Sequence, residues 1–332
     1  MQKEFIRSIK VLLPENRSVI EEVSGILNLS YDAAYRRVNS KTALSLEEAV
    51  LLARHFKISL NRLFEVGEQG TLLAEKSPVI RDVGGLEDYF RVSLESIKPL
   101  ISLKSASITY SAKDIPIFYT LSDSYITKYK CYVWLKFLNE DGSMAKVSFE
   151  DFLKTVPASL IRAANDVAQA YQNINIIEFW NDNTINGSLQ QLFYYFESNL
   201  LSKEMALLIC QDIKNIISHV EQQTIDQTII NSKNESSYQL YKSDLLTMSN
   251  TVLVKARGQK MFLTPFTVLS YFKIQHQETC EQMNRFFEKQ MKNSKLLVNA
   301  GEKDRAQFFN KMHQKVDAVI NRLNIDQDLI FF

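Results

Sequence analysis

Apolar residues return every three or four positions through the first sixty-five residues, in runs too short to be one helix. The sets are Phe5, Ile6, Ile9 and Leu12; Val19, Ile20, Val23, Ile26 and Leu27; Ala33 or Ala34 with Val38; Ala49, Val50, Ala53 and Phe56; and Leu60, Leu63 and Phe64. Each set places one apolar stripe on a short helix. The polar residues between them mark the boundaries. Ser18 with Glu21 and Ser45 with Glu48 have the spacing of capping boxes. Ser30 and Ser59 are suited to N-caps, and Asn28 tolerates the left-handed conformation that ends a helix. The pattern predicts five short helices around one core.

Beyond Phe64 the texture changes. "VGEQGTLLAEKSPVIRDVGG" holds four of the nine glycines and one proline, and residues 67–85 read as a linker. "GLEDYFRVSLESIKPLISLK" then spaces Leu86, Tyr89, Phe90, Leu94 and Ile97 along one helical face. That face suits either a dimer contact or packing within a second domain. Alternation from Ala106 to Ser111 predicts a strand that stops before Pro116. Helices are expected near 122–138, 157–172 and 183–198, with "NINIIEFW" a buried strand between the last two. "SKEMALLICQDIKNIISHVEQQ" is a further helix. "SYQLYKSDLL", "NTVLVKA", "KMFLTPF" and "VLSYFKI" read as four short strands, the middle two joined by a turn at Arg257–Lys260. Helices near 277–293 and 302–323 close the chain. The expected fold class is α+β: residues 1–66 form an all-α five-helix domain, and residues 86–332 a larger mixed domain with a short-stranded, largely antiparallel sheet.

The third short helix, about Tyr31 to Asn39, buries only small residues and Val38. It leaves Tyr31, Asp32, Tyr35, Arg36 and Arg37 pointing outward. Two short helices, a tight connection and a polar outer face make a helix-turn-helix layout. With "EVSGILNLSYDAAYRRV" followed by "ALSLEEAVLLARHFKISLNRLF", residues 3–66 resemble the lambda-repressor/Cro-like (XRE) helix-turn-helix domain. The sequence departs from the family where Ser24 replaces the usual Ala, and where Asn28 and Ser40 replace usual glycines; Gly25 inside the helix is also less usual. The resemblance implies binding of double-stranded DNA. Tyr31, Asp32 and Arg36 fall where the family places base-reading side chains. An arginine there can bond guanine in bidentate fashion, and an aspartate can accept from cytosine N4 or orient the arginine. Tyr35 is placed to pack on sugar or a thymine methyl. Ser30 is placed to bond a phosphate at the helix start, and Arg17, Arg37 and Lys41 are phosphate candidates, which position without specifying. The bland alternative is that Arg36 and Arg37 are simply solvated.

Composition adds few constraints. The 332 residues carry a net charge of +1, so bulk charge names no partner. Glu21, Glu22, Glu47 and Glu48 offset the basic residues of the head. Weak attraction for phosphate implies that two heads act together, so a homodimer is expected. Cys131, Cys210 and Cys280 lie far apart and suit a reducing compartment. No apolar run reaches the roughly 18 residues of a membrane span, no signal-peptide core is evident, and a cytoplasmic location is expected. His276 and Cys280 share a helical face, but two ligands do not make a zinc site. Lys303, Asp304 and Arg305 after Gly301 suit an anion site or a solvated first turn, and the basic residues from Arg285 to Lys315 suit DNA backbone, an acidic partner or solvent. No P-loop, dinucleotide, nucleophile-elbow or zincin motif is present, and neither an enzyme nor a cofactor is expected. The 14 Tyr and 20 Phe suit core packing or a pocket whose phenols orient a small-molecule effector. The sequence therefore reads as a transcriptional regulator with a C-terminal effector and dimerisation domain. A protein-interaction or antitoxin-like module that has lost DNA binding, or an enzyme with a DNA-targeting head, are the alternatives.

Overall fold

The computed structural model describes residues 1–14, 17–64, 72–244, 248–297 and 302–328. The chain separates into two compact units, Met1–Leu73 and Ala74–Phe332.

The first unit contains α1 (Gln2–Leu12), α2 (Val19–Leu27), α3 (Tyr31–Val38), α4 (Leu46–His55) and α5 (Leu60–Phe64). Local signals set their ends. Ser18 Oγ accepts from the Glu21 N–H, and the Ser45–Glu48 capping box is complete in both directions. Asn28 closes α2 in the left-handed conformation at φ 49°, and its N–H bonds the Ser24 carbonyl. The core is small: Phe5, Ile6, Ile9, Val23, Ala34, Val38, Leu52 and Ala53 are buried. Two positions differ from the sequence expectation. Leu12 is 57% exposed, because the chain leaves α1 in an extended conformation at Leu13, which packs instead. Leu52, absent from the expected stripe of α4, is fully buried.

The second unit is mixed α/β. Its strands are β1 (Ala74–Lys76), β2 (Ser107–Ser111), β3 (Asn175–Trp180), β4 (Tyr238–Lys242), β5 (Thr251–Ala256), β6 (Gln259–Thr267), β7 (Ser270–Ile274) and β8 (Lys295–Leu296). They form one open, mostly antiparallel sheet in the order β1-β7-β6-β5-β2-β3-β4-β8. Only β2, β3 and β4 run parallel to one another. Parallel neighbours need long crossovers, and the helices supply them. A 3-10 turn (Ile117–Thr120), α7 (Tyr125–Leu138), α8 (Phe149–Thr155) and α9 (Ala158–Tyr171) join β2 to β3, while α10 (Asn186–Glu197) and α11 (Lys203–Asp226) join β3 to β4. These helices, with α6 (Val83–Ile101) and α13 (Glu302–Asp328), enclose the main core on one face of the sheet. On the other face, Cys280 and Phe287 of α12 (Gln277–Lys292) pack on Phe179, Leu253, Phe262 and Ile274.

Residues 67–85 are not a linker over their second half. β1 pairs with β7, Ile80 is buried, and α6 begins at Val83; residues 65–71 lie outside the described residues. Gly84 and Gly85, part of the glycine content that suggested a linker, lie in the first turn of α6, capped by Asp82. The apolar face of α6 is used inside the unit, where Leu86, Phe90 and Ile97 join the main core, so that face is not free for a dimer contact.

The β5–β6 hairpin turns through Arg257 (φ 51°) and Gly258 (φ 74°), the paired left-handed conformations that match the twist of a two-residue hairpin. Nothing lies within 4 Å of a Cβ built at Gly258, so only backbone strain opposes a side chain. Gly258→Ala is expected to cost about 1–2 kcal/mol. A shift in the urea midpoint followed by tryptophan fluorescence measures this, because Trp134 and Trp180 both lie in the second unit.

Candidate functional site

Asn28, Leu29 and Ser30 connect α2 to α3. Ser30 takes extended backbone angles, and its Oγ accepts from the Ala33 N–H at 3.3 Å. The hydroxyl hydrogen remains available as a donor. Ala34 and Val38 anchor α3 to the core, so the opposite side faces solvent. Helical spacing sets Tyr31 over Tyr35 and Asp32 over Arg36 in two adjacent rows. Tyr31 is 54% exposed and Tyr35 40%. Among the described residues, the Arg36 side chain has no ion pair, although its carbonyl accepts from the Lys41 and Thr42 N–H groups. Lys41 Nζ lies 5.1 Å from the centre of the Tyr35 ring.

Arg37 stands apart from this face. Its guanidinium makes a forked contact with Glu48, with Nε at 2.8 and 2.9 Å from the two carboxylate oxygens, and also bonds the Ala33 carbonyl. The pairing holds the Glu48 carboxyl below its ordinary range and the Arg37 guanidinium above its own, the mutual hydrogen bond being the main cause of both. Arg37 therefore ties α3 to the capped start of α4. Arg17 is likewise engaged, with Glu22 at 2.6 Å, although its side chain is exposed. Gln2 completes the frame, which sequence reasoning missed. Its amide bonds the Arg37 and Thr42 carbonyls and accepts from the Leu44 N–H, so α1 holds the C-terminal end of α3. A lone glutamine near the start of a chain carries no signal of this.

The second unit holds a buried carboxyl that sequence reasoning also missed. On β3 the residues alternate between faces: Ile176, Glu178 and Trp180 belong to the face that carries the main core. Glu178 is fully buried. Its Oε2 accepts from Tyr238 Oη and Trp180 Nε1, both at 2.9 Å, and its Oε1 from Tyr171 Oη at 3.2 Å. Tyr119 packs edge-on against Trp180, and its hydroxyl accepts from Gln223 Nε2 at 3.3 Å. Burial raises the Glu178 carboxyl to about 7 against the pull of these donors. A glutamate in the middle of an otherwise apolar strand is the signal that marks it.

Beside this cage lies a half-open cleft of about 350 Å³. Lys130 of α7 crosses its floor, bonded to Ser188 Oγ at 2.9 Å and Gln191 Oε1 at 3.2 Å, with Asp114 at 3.7 Å. Asp114 Oδ1 accepts from Ser188 and from the Ile115 N–H. Asn250 Oδ1 accepts from the Lys113 and Asp114 N–H groups. Trp134, Phe137, Tyr195, Tyr110 and Tyr271 supply aromatic walls.

The remaining candidates resolve into structure. Cys280 is buried and its thiol donates to the Ile274 carbonyl, while His276 caps α12. Burial pushes the Cys131 and Cys210 thiols up to about 12, far from a reactive thiolate. No cluster of three metal-ligating side chains occurs among the described residues. Of the basic series, Lys295 pairs with Asp304 and Lys311 with Asp182, and Arg285, Lys289 and Lys292 are exposed; Gly301 lies outside the described residues. No helix among the described residues is long and apolar enough to cross a membrane. No protein-family profile, curated protein or solved structure matches the chain.

Proposed function

We propose that this chain is a sequence-specific DNA-binding transcriptional regulator of the XRE helix-turn-helix kind. In this reading α3 enters the major groove, Tyr31, Asp32, Tyr35 and Arg36 meet base edges or sugars, and Ser30, Lys41 and Arg17 meet phosphates. The larger unit joins two copies and carries the effector. The observation that carries the reading is the contrast between adjacent arginines. Arg37 is spent on Glu48, whereas Arg36 stands exposed on a face shared with Asp32 and two phenols.

One recognition helix covers only a few base pairs, and the head has little excess charge. Two heads on one duplex raise the effective concentration of the second. The full-length protein is therefore expected to select a two-fold symmetric site with half-sites about one helical turn, ~34 Å, apart. Binding-site selection followed by footprinting measures this, and a footprint over a single asymmetric half-site would overturn the dimeric arrangement. The two exposed phenols of α3 also suit a protein partner. A selection that returns no consensus sequence at low salt favours that second reading.

A further inference from the structure

The cleft beside α7 has a defined polar inventory. Lys130 and Asp114 place one charge of each sign together, so the floor is neutral as a whole. An anionic ligand would meet the Asp114 carboxylate and a cationic one the Lys130 ammonium, so the pair favours neither sign of charge. The bonds already made fix which atoms are left over. Gln191 gives its oxygen to Lys130, which turns its amide NH2 away from that bond. Asn250 gives its oxygen to two backbone N–H groups, which leaves its NH2 as the free end. Asp114 Oδ2 has only Lys130 at 3.7 Å, beyond hydrogen-bond range, so its lone pairs stay open. The site thus offers one carboxylate acceptor and two amide donors. Trp134 and Tyr271 stand among the aromatic walls and offer apolar surface to the C–H groups of a ring.

A hydroxyl both donates and accepts, so adjacent hydroxyls can answer a carboxylate and an amide together. The cleft's volume lies within the range of small-ligand sites. We infer that this cleft binds a neutral polyhydroxylated small molecule of the sugar class, its hydroxyls on Asp114, Gln191 and Asn250 and its apolar ring face on the aromatic wall. Such a ligand would be the effector of the proposed regulator. The inference rests on that reading only for its role, because binding is measured without DNA.

The test is a titration of the full-length chain with neutral mono- and disaccharides, with sugar phosphates and charged amino acids as comparators. Tryptophan fluorescence is the readout, since Trp134 lines the cleft and Trp180 is buried in the Glu178 cage. A saturable change with a neutral sugar is expected, lost in Trp134→Phe if Trp134 is the reporter. Asp114→Asn, which keeps one acceptor oxygen, is expected to weaken binding roughly tenfold. Thr267→Trp fills the cleft from the exposed rim and should abolish binding with an unchanged circular-dichroism spectrum. No saturable change with any neutral sugar, a preference for the charged comparators, or full binding by folded Thr267→Trp would each overturn the assignment. DNA binding measured on the same samples by anisotropy separates this outcome from failure of the DNA reading.

Discussion

Glu178→Ala is expected to destabilise the larger unit by roughly 3–5 kcal/mol, because it leaves several buried donors without an acceptor at about 1–3 kcal/mol each and opens a cavity. The hydroxyls of Tyr171 and Tyr238 and the indole N–H of Trp180 all converge on this one carboxyl. Glu178→Gln should be far milder, about 1 kcal/mol. The amide oxygen can keep Tyr238 and Trp180, and its NH2 can donate to tyrosine hydroxyls that rotate to accept. The two variants also separate in their response to pH. The folded carboxyl titrates near 7 and an unconstrained one near 4.5, so the folded state holds a proton that the unfolded state has lost between those values. Stability from this group is complete below pH 4.5 and is lost as pH rises through 7. The difference amounts to roughly 3 kcal/mol. Urea midpoints at pH 5 and pH 8, followed by tryptophan fluorescence, should therefore fall with pH in the wild type, and the Glu178→Gln variant should lack this group's share of the fall. Equal pH slopes in the two proteins would show that Glu178 does not titrate in this window.

Arg36→Ala is expected to lose about 1–3 kcal/mol of specific DNA binding, some five- to 150-fold, and to relax one position of the selected site. Arg37→Ala should behave differently. Its side chain is 20% exposed and that of Glu48 17%, and the pair links α3 to α4. The substitution should lower the stability of the first unit by about 1–2 kcal/mol while leaving base preference intact. A double-mutant cycle with Glu48→Ala isolates the pair, since the two losses should not add. Lys41→Ala should weaken all sequences alike and reduce the salt dependence. Fluorescence anisotropy against the selected site and a scrambled duplex, at two salt concentrations, separates the three behaviours. An unchanged preference in Arg36→Ala would remove it from the base-reading set.

Helix and strand placement was legible in the sequence wherever a strong period met a clear stop signal. The caps at Ser30 and Ser45, the left-handed Asn28 and the hairpin at Arg257–Gly258 are local devices, and each works through residues within a few positions. β3 and β5 were legible as apolar runs between turn residues. The short edge strands β1 and β8 were not, because a strand of two or three residues has no measurable period and exists only through its neighbour.

Partnership across distance was decided by the tertiary structure alone. Arg36 and Arg37 are indistinguishable as a dipeptide; a turn of about 100° around the helix axis aims one at solvent and the other at Glu48, eleven residues away. Tyr171 and Tyr238 look like any core aromatics until the crossovers of a parallel β2–β3–β4 core bring them onto one carboxyl. Lys130, Asp114, Gln191 and Asn250 come from four separate segments, and none shares a motif with another. The sequence by itself determined the longer helices and strands and many of their ends, because those depend on local periodicity and capping. Which polar groups meet, and which stay open to a ligand, depends on register and crossover geometry that no local pattern encodes.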